Sequence, residues 1–219
     1  METIQPILVI LDREEIAARL RFNPQRAGSE NLEELVALAQ GLIRPQGVHE
    51  VAYVGAKGER RVEVAGVTFE SSTLRENLGA ANKVFPYIIT VGPELERAAS
   101  AQRDLLKQYY LEEIANLALE IVAGWLSSEL ERRHGIGGLS NLSPGSLEDW
   151  PITEQPKLFS IFGNTEQLVG VRLTDSLLMI PRKSISGILF PSEEGFVACQ
   201  LCDREHCQGR KAPYKVVRP

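Results

Sequence analysis

The sequence feature that most constrains the fold is a long amphipathic segment at residues 103–133. Apolar side chains recur in it at spacings of three or four residues, namely Leu106, Tyr110, Ile114, Leu117, Ile121 and Trp125. Such spacing places them all on one stripe of an α-helix. Gly135 follows the stripe, and glycine is common just beyond a helix C-terminus. We therefore predict one long central helix, on which a larger structural unit is built.

Shorter helices and extended segments surround this helix in the sequence. Helices are predicted at 13–21, with Asp12 as N-cap and Glu15 completing a capping box, and at 31–44, 74–81 and 153–163. Segments rich in β-branched and aromatic residues predict strands at 5–11, 49–55, 60–71, 83–92, 168–180 and 184–190. Because strands and helices are interleaved without strict βαβ alternation, the predicted fold class is α+β.

Composition and charge exclude several classes of protein. A formal charge of −5 argues against binding to nucleic acid or to an anionic membrane, since both need a basic surface. The N-terminal apolar run is too short for a signal peptide, and no segment approaches the roughly 20 apolar residues of a membrane span. We therefore expect a cytoplasmic protein with no nucleic-acid or membrane partner. A boundary near residue 75 would separate an N-terminal mixed α/β region (1–75) from a core (76–196) and a tail (197–219).

All three cysteines of the chain lie in the tail, within the sequence ACQLCDREHC at residues 198–207. Cys199 and Cys202 have the Cys-x2-Cys spacing that brings two thiolates to one metal ion, and Cys207 offers a third. Three thiolates suit a zinc ion with a fourth ligand from elsewhere, or an iron–sulfur cluster with one open iron. The alternative is a tail of reduced, incidental thiols. Because the rest of the chain lacks cysteine, we favour metal binding.

A glycine- and serine-rich loop follows the long helix. Its glycines would let backbone N–H groups approach an anion, but it lacks the Gly-Lys-Ser/Thr of a P-loop, and a helix end followed by a turn is the simpler interpretation. Glu148, Asp149 and Glu154 offer carboxylates for acid–base chemistry. The alternative, which we favour, is that Asp149 or Thr153 caps the next helix and that Glu148 is solvated.

Three segments in a fixed order around the long helix resemble a known family: PYIITVGPELE, LSPGSLEDWPITEQPKLFSIFG and VGVRLTDSLLMIPRKSISGILF. They resemble the activation domain of cobalamin (vitamin B12)-dependent methionine synthase, and in particular short, free-standing members of that family. The resemblance extends over about residues 84–196. It implies a mixed α/β module with a central antiparallel sheet and one long helix, so that residues 76–196 form an activation-domain-like core.

The resemblance also implies a function. Domains of that family bind S-adenosylmethionine and lie over the corrinoid. When cob(I)alamin is oxidised to cob(II)alamin, an electron donor and S-adenosylmethionine together restore methylcobalamin. The implied cofactors are S-adenosylmethionine and the cobalamin of the partner. The implied partners are a cobalamin-dependent methionine synthase or another corrinoid protein, and an electron donor. Any enzymatic role would then be part of that methyltransferase system.

The resemblance places the ligand-binding loop at residues 141–146, where the family motif is Arg-x-x-Pro-Gly-Tyr. The residues it assigns to the site are Asn141, Ser143, Pro144, Gly145, Ser146, Thr153 and Glu154. Asn141 stands where the motif has arginine, and Ser146 where it has tyrosine. The guanidinium that would form a bidentate pair with a carboxylate is therefore missing from this loop. An acidic ligand from the long helix would correspond to Glu129 or Glu131.

The sequence leaves three functions open. The first is an auxiliary protein that supports reductive reactivation or remethylation of a corrinoid methyltransferase. The second is a stand-alone metal or iron–sulfur protein that uses the same fold for another redox role. The third is a non-catalytic docking scaffold. The resemblance favours the first, in which the cysteine tail would be a built-in electron donor beside the cobalt.

Overall fold

The computed structural model describes residues 1–4, 7–23, 25, 32–79, 81–192, 200, 212 and 213. The helices in this part of the chain are α1 (Arg13–Arg19), α2 (Leu32–Leu42), α3 (Ser72–Asn77), α4 (Glu94–Ser100), α5 (Leu105–His134), α6 (Gln155–Ser160) and α7 (Thr165–Val169). The strands are β1 (Glu2–Ile4), β2 (Gln46–His49), β3 (Ala52–Lys57), β4 (Arg61–Val64), β5 (Val67–Glu70), β6 (Lys83–Thr90), β7 (Leu139–Leu142), β8 (Arg172–Leu173), β9 (Met179–Ile180) and β10 (Ser184–Pro191). A 3₁₀ turn, Ile152–Glu154, leads into α6.

Eight of the strands form one antiparallel sheet with β6 at its centre. On one side β6 pairs with β10, which pairs in turn with the edge strand β7. On the other side β6 pairs with β2 along one half of its length and with β3 along the other. β1 extends the sheet beyond β2, and β4 and β5 extend it beyond β3. β8 and β9 form a separate hairpin.

The long helix α5 confirms the prediction for residues 103–133. The side chain of Asp104 caps its start by accepting the N–H of Leu106 at 2.8 Å. Gly135 ends it in a left-handed conformation with φ 63°, which costs glycine least because it has no Cβ. No helix among the residues described has both the length and the apolar character needed to cross a membrane.

The buried surface of α5 is wider than the single predicted stripe. The buried residues are Tyr110, Leu111, Ile114, Ala115, Leu117, Ala118, Leu119, Val122, Leu126 and Leu130. By contrast, Leu106, Ile121 and Trp125 of the predicted stripe are only partly buried. The cause is that α5 packs on β6 and β10 with one side and on α2 and α4 with others.

The sheet separates two apolar layers, because alternate residues of a strand point to opposite faces. Phe85, Ile89 and Leu189 pack with α1, α2, α4 and α5 on one face. Ile188 and Phe190 pack with α3, α6 and the loop after β7 on the other. The predicted α+β class, with an antiparallel sheet and one long helix, is thereby confirmed. The division into residues 1–75, 76–196 and 197–219 stays a prediction.

The predicted strand at residues 168–180 is wrong. Its first residues end α7, where Gly170 adopts a left-handed conformation with φ 67°. The hydroxyl of Thr165 donates to the carbonyl of Val171 at 2.6 Å and holds the turn closed. The remainder folds back on itself as the β8–β9 hairpin. The apolar run therefore alternates between buried and exposed positions around a bend, instead of continuing through the sheet.

Other strands also differ from the prediction: the predicted strand at 49–55 is divided between the end of β2 and the start of β3, and β1 was not predicted. Residues 7–11, the described part of the predicted strand 5–11, belong to no strand. The amide of Gln40 takes the place of a partner strand, donating to Val9 O at 2.8 Å and accepting from Leu11 N at 3.0 Å. Conversely, β7 lies inside the glycine-rich loop, where only a turn was expected. It forms because β10 offers it a complete row of backbone partners.

Candidate functional site

The predicted loop begins at β7, where Asn141 and Ser143 are held by hydrogen bonds inside the protein. The Tyr87 hydroxyl donates to Asn141 Oδ1 at 3.1 Å, and Asn141 Nδ2 donates to Ser143 Oγ at 3.3 Å. The side chains of Asn141 and Ser143 lie close to Gly187 of β10. A Cβ added at Gly187 would lie 2.7 Å from both Asn141 Oδ1 and Ser143 Oγ. Burial raises the pKa of Tyr87 well above its usual value, so the hydroxyl stays a donor. Asn141 and Ser143 thus position the start of the loop.

The following turn satisfies its own backbone. The Gly145 N–H donates to the carbonyl of Trp150 at 2.7 Å. The carbonyl of Ser143 accepts both the N–H of Ser146, at 3.1 Å, and its hydroxyl, at 2.6 Å. The polar groups of this turn are therefore directed inward, toward other residues of the loop.

The exposed part of the turn is small. Pro144 is buried, whereas Gly145 and Ser146 are exposed, and the neighbouring Ile152 is 39% exposed. We call Gly145, Ser146 and Ile152 the loop apex. Gly145 has a φ of +82°, and an added Cβ would lie 3.0 Å from Ile152 Cδ1. Glycine is therefore required here both by the backbone conformation and by the contact with Ile152.

Asp149 caps a helix, although not the one expected from the sequence. Its Oδ2 accepts the hydroxyl of Ser71 at 2.8 Å and the N–H of Thr73 at 2.7 Å, both at the start of α3. Arg60 donates to Oδ1 at 3.1 Å. Burial by itself raises the pKa of Asp149, but the hydrogen bonds from Thr73 and Ser71 and the charge of Arg60 hold it below its usual value. Thr153 makes no capping hydrogen bond to the helix that follows it.

Glu154 ties the far end of the loop to the sheet. Its side chain is almost fully buried, and Oε2 accepts the N–H of Glu70 on β5 at 3.0 Å. Oε1 pairs with the ammonium of Lys157 at 2.6 Å. Thr153 and Glu154 line a groove of about 490 Å³ together with Glu148, which is exposed as predicted. The predicted residues thus fall into two groups, one at β7 and β10 and one at β5.

The two acidic candidates on α5 have different surroundings. Glu131 Oε1 accepts the N–H of Leu139 at 2.9 Å, which fixes the turn between α5 and β7. Glu129 pairs with Arg132 at 2.8 Å and also with Arg133. These pairs, chiefly the hydrogen bond from Arg132, lower the pKa of Glu129 to about 2. Of the two, Glu129 is the one that also lines a cavity.

Sequence reasoning missed a row of residues that crosses the sheet on the side facing α5. Glu2, His49, Tyr87 and Gly187 lie opposite one another on β1, β2, β6 and β10. The row ends at Asn141, through the Tyr87 hydrogen bond. One signal for it exists in the sequence, because glycine inside a strand such as β10 often marks a close approach by other groups. Nothing in the sequence indicated the partners of His49 and Tyr87.

The buried His49 leads to a prediction about pH. Burial is the largest effect and lowers the pKa of His49 below 6.5; Glu2 opposes it, while Arg133, His134 and the N-terminal amine add to the lowering. The unfolded chain then binds a proton more readily than the folded one. The free energy of unfolding should therefore decrease as pH falls below about 6.5, until His49 is protonated in the folded state as well.

Denaturation by urea between about pH 7.5 and 5 measures this decrease. His49→Gln should weaken it, because the variant has no imidazole to protonate at this position. His134→Gln, at the end of α5, should remove a smaller part of it, because burial also lowers the pKa of His134 but this histidine is less buried than His49. An unchanged pH dependence in His49→Gln would contradict the assignment.

The predicted metal ligands Cys199, Cys202 and Cys207 lie outside the described residues. Within the part of the chain that the structure does describe, no group of three or more histidine, cysteine, aspartate or glutamate side chains is arranged to hold a metal ion.

The fold and this loop define a mixed α+β module, in which an antiparallel sheet and one long helix support a short exposed turn. Thirteen chains of known structure match it. One is the crystal structure of the MetH reactivation domain bound to AdoHcy, with a TM-score of 0.56 and 17% sequence identity, covering 84% of this chain and 67% of that one. At this identity the likeness establishes the fold. No protein-family model and no curated protein sequence matches the chain.

Proposed function

We propose that this protein docks on a cobalamin-dependent methyltransferase and supports reductive reactivation of its corrinoid, with methionine synthase as the first candidate partner. The observation that carries the proposal is the fold shared with the MetH reactivation domain over 84% of this chain. The order of segments around α5 supports it independently, because it resembles the activation-domain family over about residues 84–196.

The loop at 141–146 does not fit the carboxylate of S-adenosylmethionine. It holds no cationic side chain, and the amide of Asn141 already bonds with Tyr87 and Ser143. The N–H groups of Gly145 and Ser146 are also used inside the loop. The AdoHcy bound to the similar domain supports an S-adenosyl ligand on this fold, but we assign the loop apex of this chain to contact with the corrinoid protein.

A reactivation assay tests the proposal. A cobalamin-dependent methionine synthase that lacks its own activation domain is poised as cob(II)alamin, and this protein, a reductant and S-adenosylmethionine are added. Absorbance follows the formation of methylcobalamin. Faster formation with this protein than without it is the expected result. No acceleration, together with no co-purification of the two proteins, would contradict the proposal.

Gly145→Val should slow this reaction by about tenfold or more, which corresponds to roughly 1.4 kcal/mol of lost docking free energy. Valine cannot easily adopt the φ of +82°, and its side chain would displace Ile152 from the loop apex. Gly163→Val is the matched control: its φ is +72°, but an added Cβ meets nothing within 4 Å. Equal reaction rates for the two variants would show that the loop apex takes no part in docking.

We propose further that Cys199, Cys202 and Cys207 bind zinc or an iron–sulfur cluster beside the docking module. A cluster would deliver single electrons to cob(II)alamin, since iron–sulfur centres of low potential suit this task. Anaerobic purification followed by metal analysis and an absorbance spectrum distinguishes iron from zinc. Cys202→Ser should lower the bound metal to well below one equivalent. Protein that holds neither iron nor zinc would exclude the site.

A further inference from the structure

We propose that residues 7–11, the segment just before α1, form a docking surface for the same segment of a second copy of this chain. The side chains of the segment alternate between two sides. Ile7, Val9 and Leu11 are buried in the apolar layer around α5. Leu8 and Ile10, which lie between them, are 74% and 68% exposed. An alternation with period two is that of a β-strand, so the segment is strand-like although it belongs to no sheet.

One backbone edge of the segment is occupied, and the other is free. In an extended chain the N–H and C=O groups of successive residues point to opposite edges. The amide of Gln40 bonds with Val9 O and Leu11 N, which assigns the odd-numbered residues to the edge facing α2. The backbone groups of Leu8 and Ile10 then lie on the opposite edge, and none of them has a hydrogen-bond partner among the described residues. An unpaired edge of this kind is a template for another strand.

The segment carries none of the usual protection against strand pairing. Natural edge strands are commonly protected by charged side chains, by proline or by a bulge. Every side chain of residues 7–11 is apolar and uncharged. Removing the exposed Leu8 and Ile10 from water would be favourable. A strand added at the free edge would contact these side chains and pair the free backbone groups at the same time.

The partner is a second copy because the free edge is complementary to itself. Val9 lies midway between Leu8 and Ile10, so a two-fold axis at Val9 sets Leu8 opposite Ile10 of the second copy. In an antiparallel pair, two such residues exchange both of their N–H···O bonds, and every free group of the edge then has a partner. The same register places the two apolar side chains against each other without any charge to repel. Because Gln40 already holds the segment extended, pairing costs little conformational freedom.

The interface is small, so the dimer is weak. Stable interfaces bury about 1,200–2,000 Å² in total, and weak ones less. Here the paired strip ends at Asp12, whose carbonyl already accepts the N–H of Ile16 in α1 at 3.1 Å. A two-fold contact uses the same surface on both copies and therefore closes on itself. Association should stop at the dimer and should occur at about 0.1–1 mM.

This inference goes beyond the proposed function and does not rest on it. Residues 7–11 belong to the apolar layer around α5, whereas Leu147 and Trp150 of the loop belong to the layer on the other face of the sheet. Pairing of two copies therefore leaves the loop apex free, and a failure to dimerise would leave the reactivation assay unaffected.

Sedimentation equilibrium of the whole chain between about 10 µM and 1 mM tests the inference. We expect a monomer–dimer equilibrium without larger species. Hydrogen exchange followed by NMR adds a signal from single residues. The N–H groups of Leu8 and Ile10 should exchange several-fold more slowly at the high concentration than at the low one. The N–H of Leu11, which is bonded to Gln40, should exchange at the same rate at both.

Two double variants test the register. Leu8→Lys with Ile10→Lys sets like charges opposite one another and should weaken association at least about tenfold. Leu8→Lys with Ile10→Glu sets opposite charges against each other and should associate at least about tenfold more tightly than the first variant. Leu105→Lys is the control, because Leu105 is 78% exposed at the start of α5, and it should dimerise as the wild type does. The melting temperature of each variant establishes that it is folded.

Three results would overturn the inference: a chain that stays monomeric throughout, assembly beyond the dimer, or equal association of the two double variants. Slow exchange of the Leu8 and Ile10 N–H groups in a monomer would assign the free edge to another segment of the same chain, and would overturn it as well.

Discussion

Replacing Gly187 with alanine is expected to lower the free energy of unfolding by about 3 kcal/mol, the upper end of the usual range for overpacking a core. An added Cβ would lie 2.6 Å from the carbonyl oxygen of Leu142 and 2.7 Å from both Asn141 Oδ1 and Ser143 Oγ. The carbonyl belongs to the backbone of β7 and cannot rotate away. The methyl group must therefore push β7 off β10, which breaks the hydrogen-bonded edge that carries the loop.

Gly55→Ala is the control for this prediction. Gly55 also lies inside a strand, β3, and its added Cβ would be 2.8 Å from a side-chain oxygen of Glu63. That oxygen is at the end of a flexible chain, so the expected change is below about 1 kcal/mol. Urea denaturation of the two variants measures the difference. Similar stabilities would show that β7 can shift on β10 at little cost.

Replacing Asp149 with alanine should destabilise the protein by about 2–3 kcal/mol. The substitution removes the charged acceptor of the Ser71 hydroxyl and the Thr73 N–H, and hydrogen bonds to charged groups are worth about 1.5–3 kcal/mol. The contact with Arg60 adds little, because that side chain is 72% exposed. The loss should loosen both the start of α3 and the middle of the loop, since Asp149 joins the two.

The pH dependence of this effect separates it from simple loss of packing. Because the pKa of Asp149 is lowered in the folded state, its contribution is present at neutral pH and is lost as pH falls through the folded pKa. The difference between wild type and Asp149→Ala should therefore shrink below about pH 4. Glu148→Ala, at the exposed neighbouring position, should change stability by less than about 0.5 kcal/mol. A Glu148 variant as unstable as the Asp149 variant would contradict the capping role.

Features with a local cause could be predicted from the sequence. The stripe of apolar residues and the terminal Gly135 predicted α5 to within two residues at each end. The N-cap Asp12 accepts the N–H of Glu15 at 2.8 Å, as the capping pattern indicates. The strands β6 and β10 were also predicted, from their β-branched and aromatic residues.

Features whose cause lies far away in the chain could not be predicted from the sequence. The strand β7 is formed by pairing with β10, whose residues lie about fifty positions further along the chain. The 168–180 segment has the composition of a strand, but a left-handed Gly170 and the hydrogen bond from Thr165 turn it into a hairpin. In the first case the decisive partner is distant in the chain; in the second, the cause is local, but the apolar composition of the segment favoured a strand.

The candidate site divides in the same way. The sequence indicated residues 141–146 and 153–154 through a resemblance, and their role in docking remains a proposal. It gave no indication that Asn141 would be held by Tyr87, or that Glu154 would bind the N–H of Glu70. The cavity that Glu129 lines with His49 and Arg133 was equally hidden, because β2 and α5 meet only in the folded chain.

Asp149 illustrates the boundary between the two kinds of information. Its residue type favours a helix cap, because a short carboxylate readily accepts backbone N–H groups, and the sequence supports that much unaided. Which helix it caps depends on which N-terminus comes within about 3 Å of it in the folded chain. The structure brings α3 there, from more than seventy residues earlier in the chain. Local chemistry determines which interactions a side chain can make, and long-range packing determines which partner it makes them with.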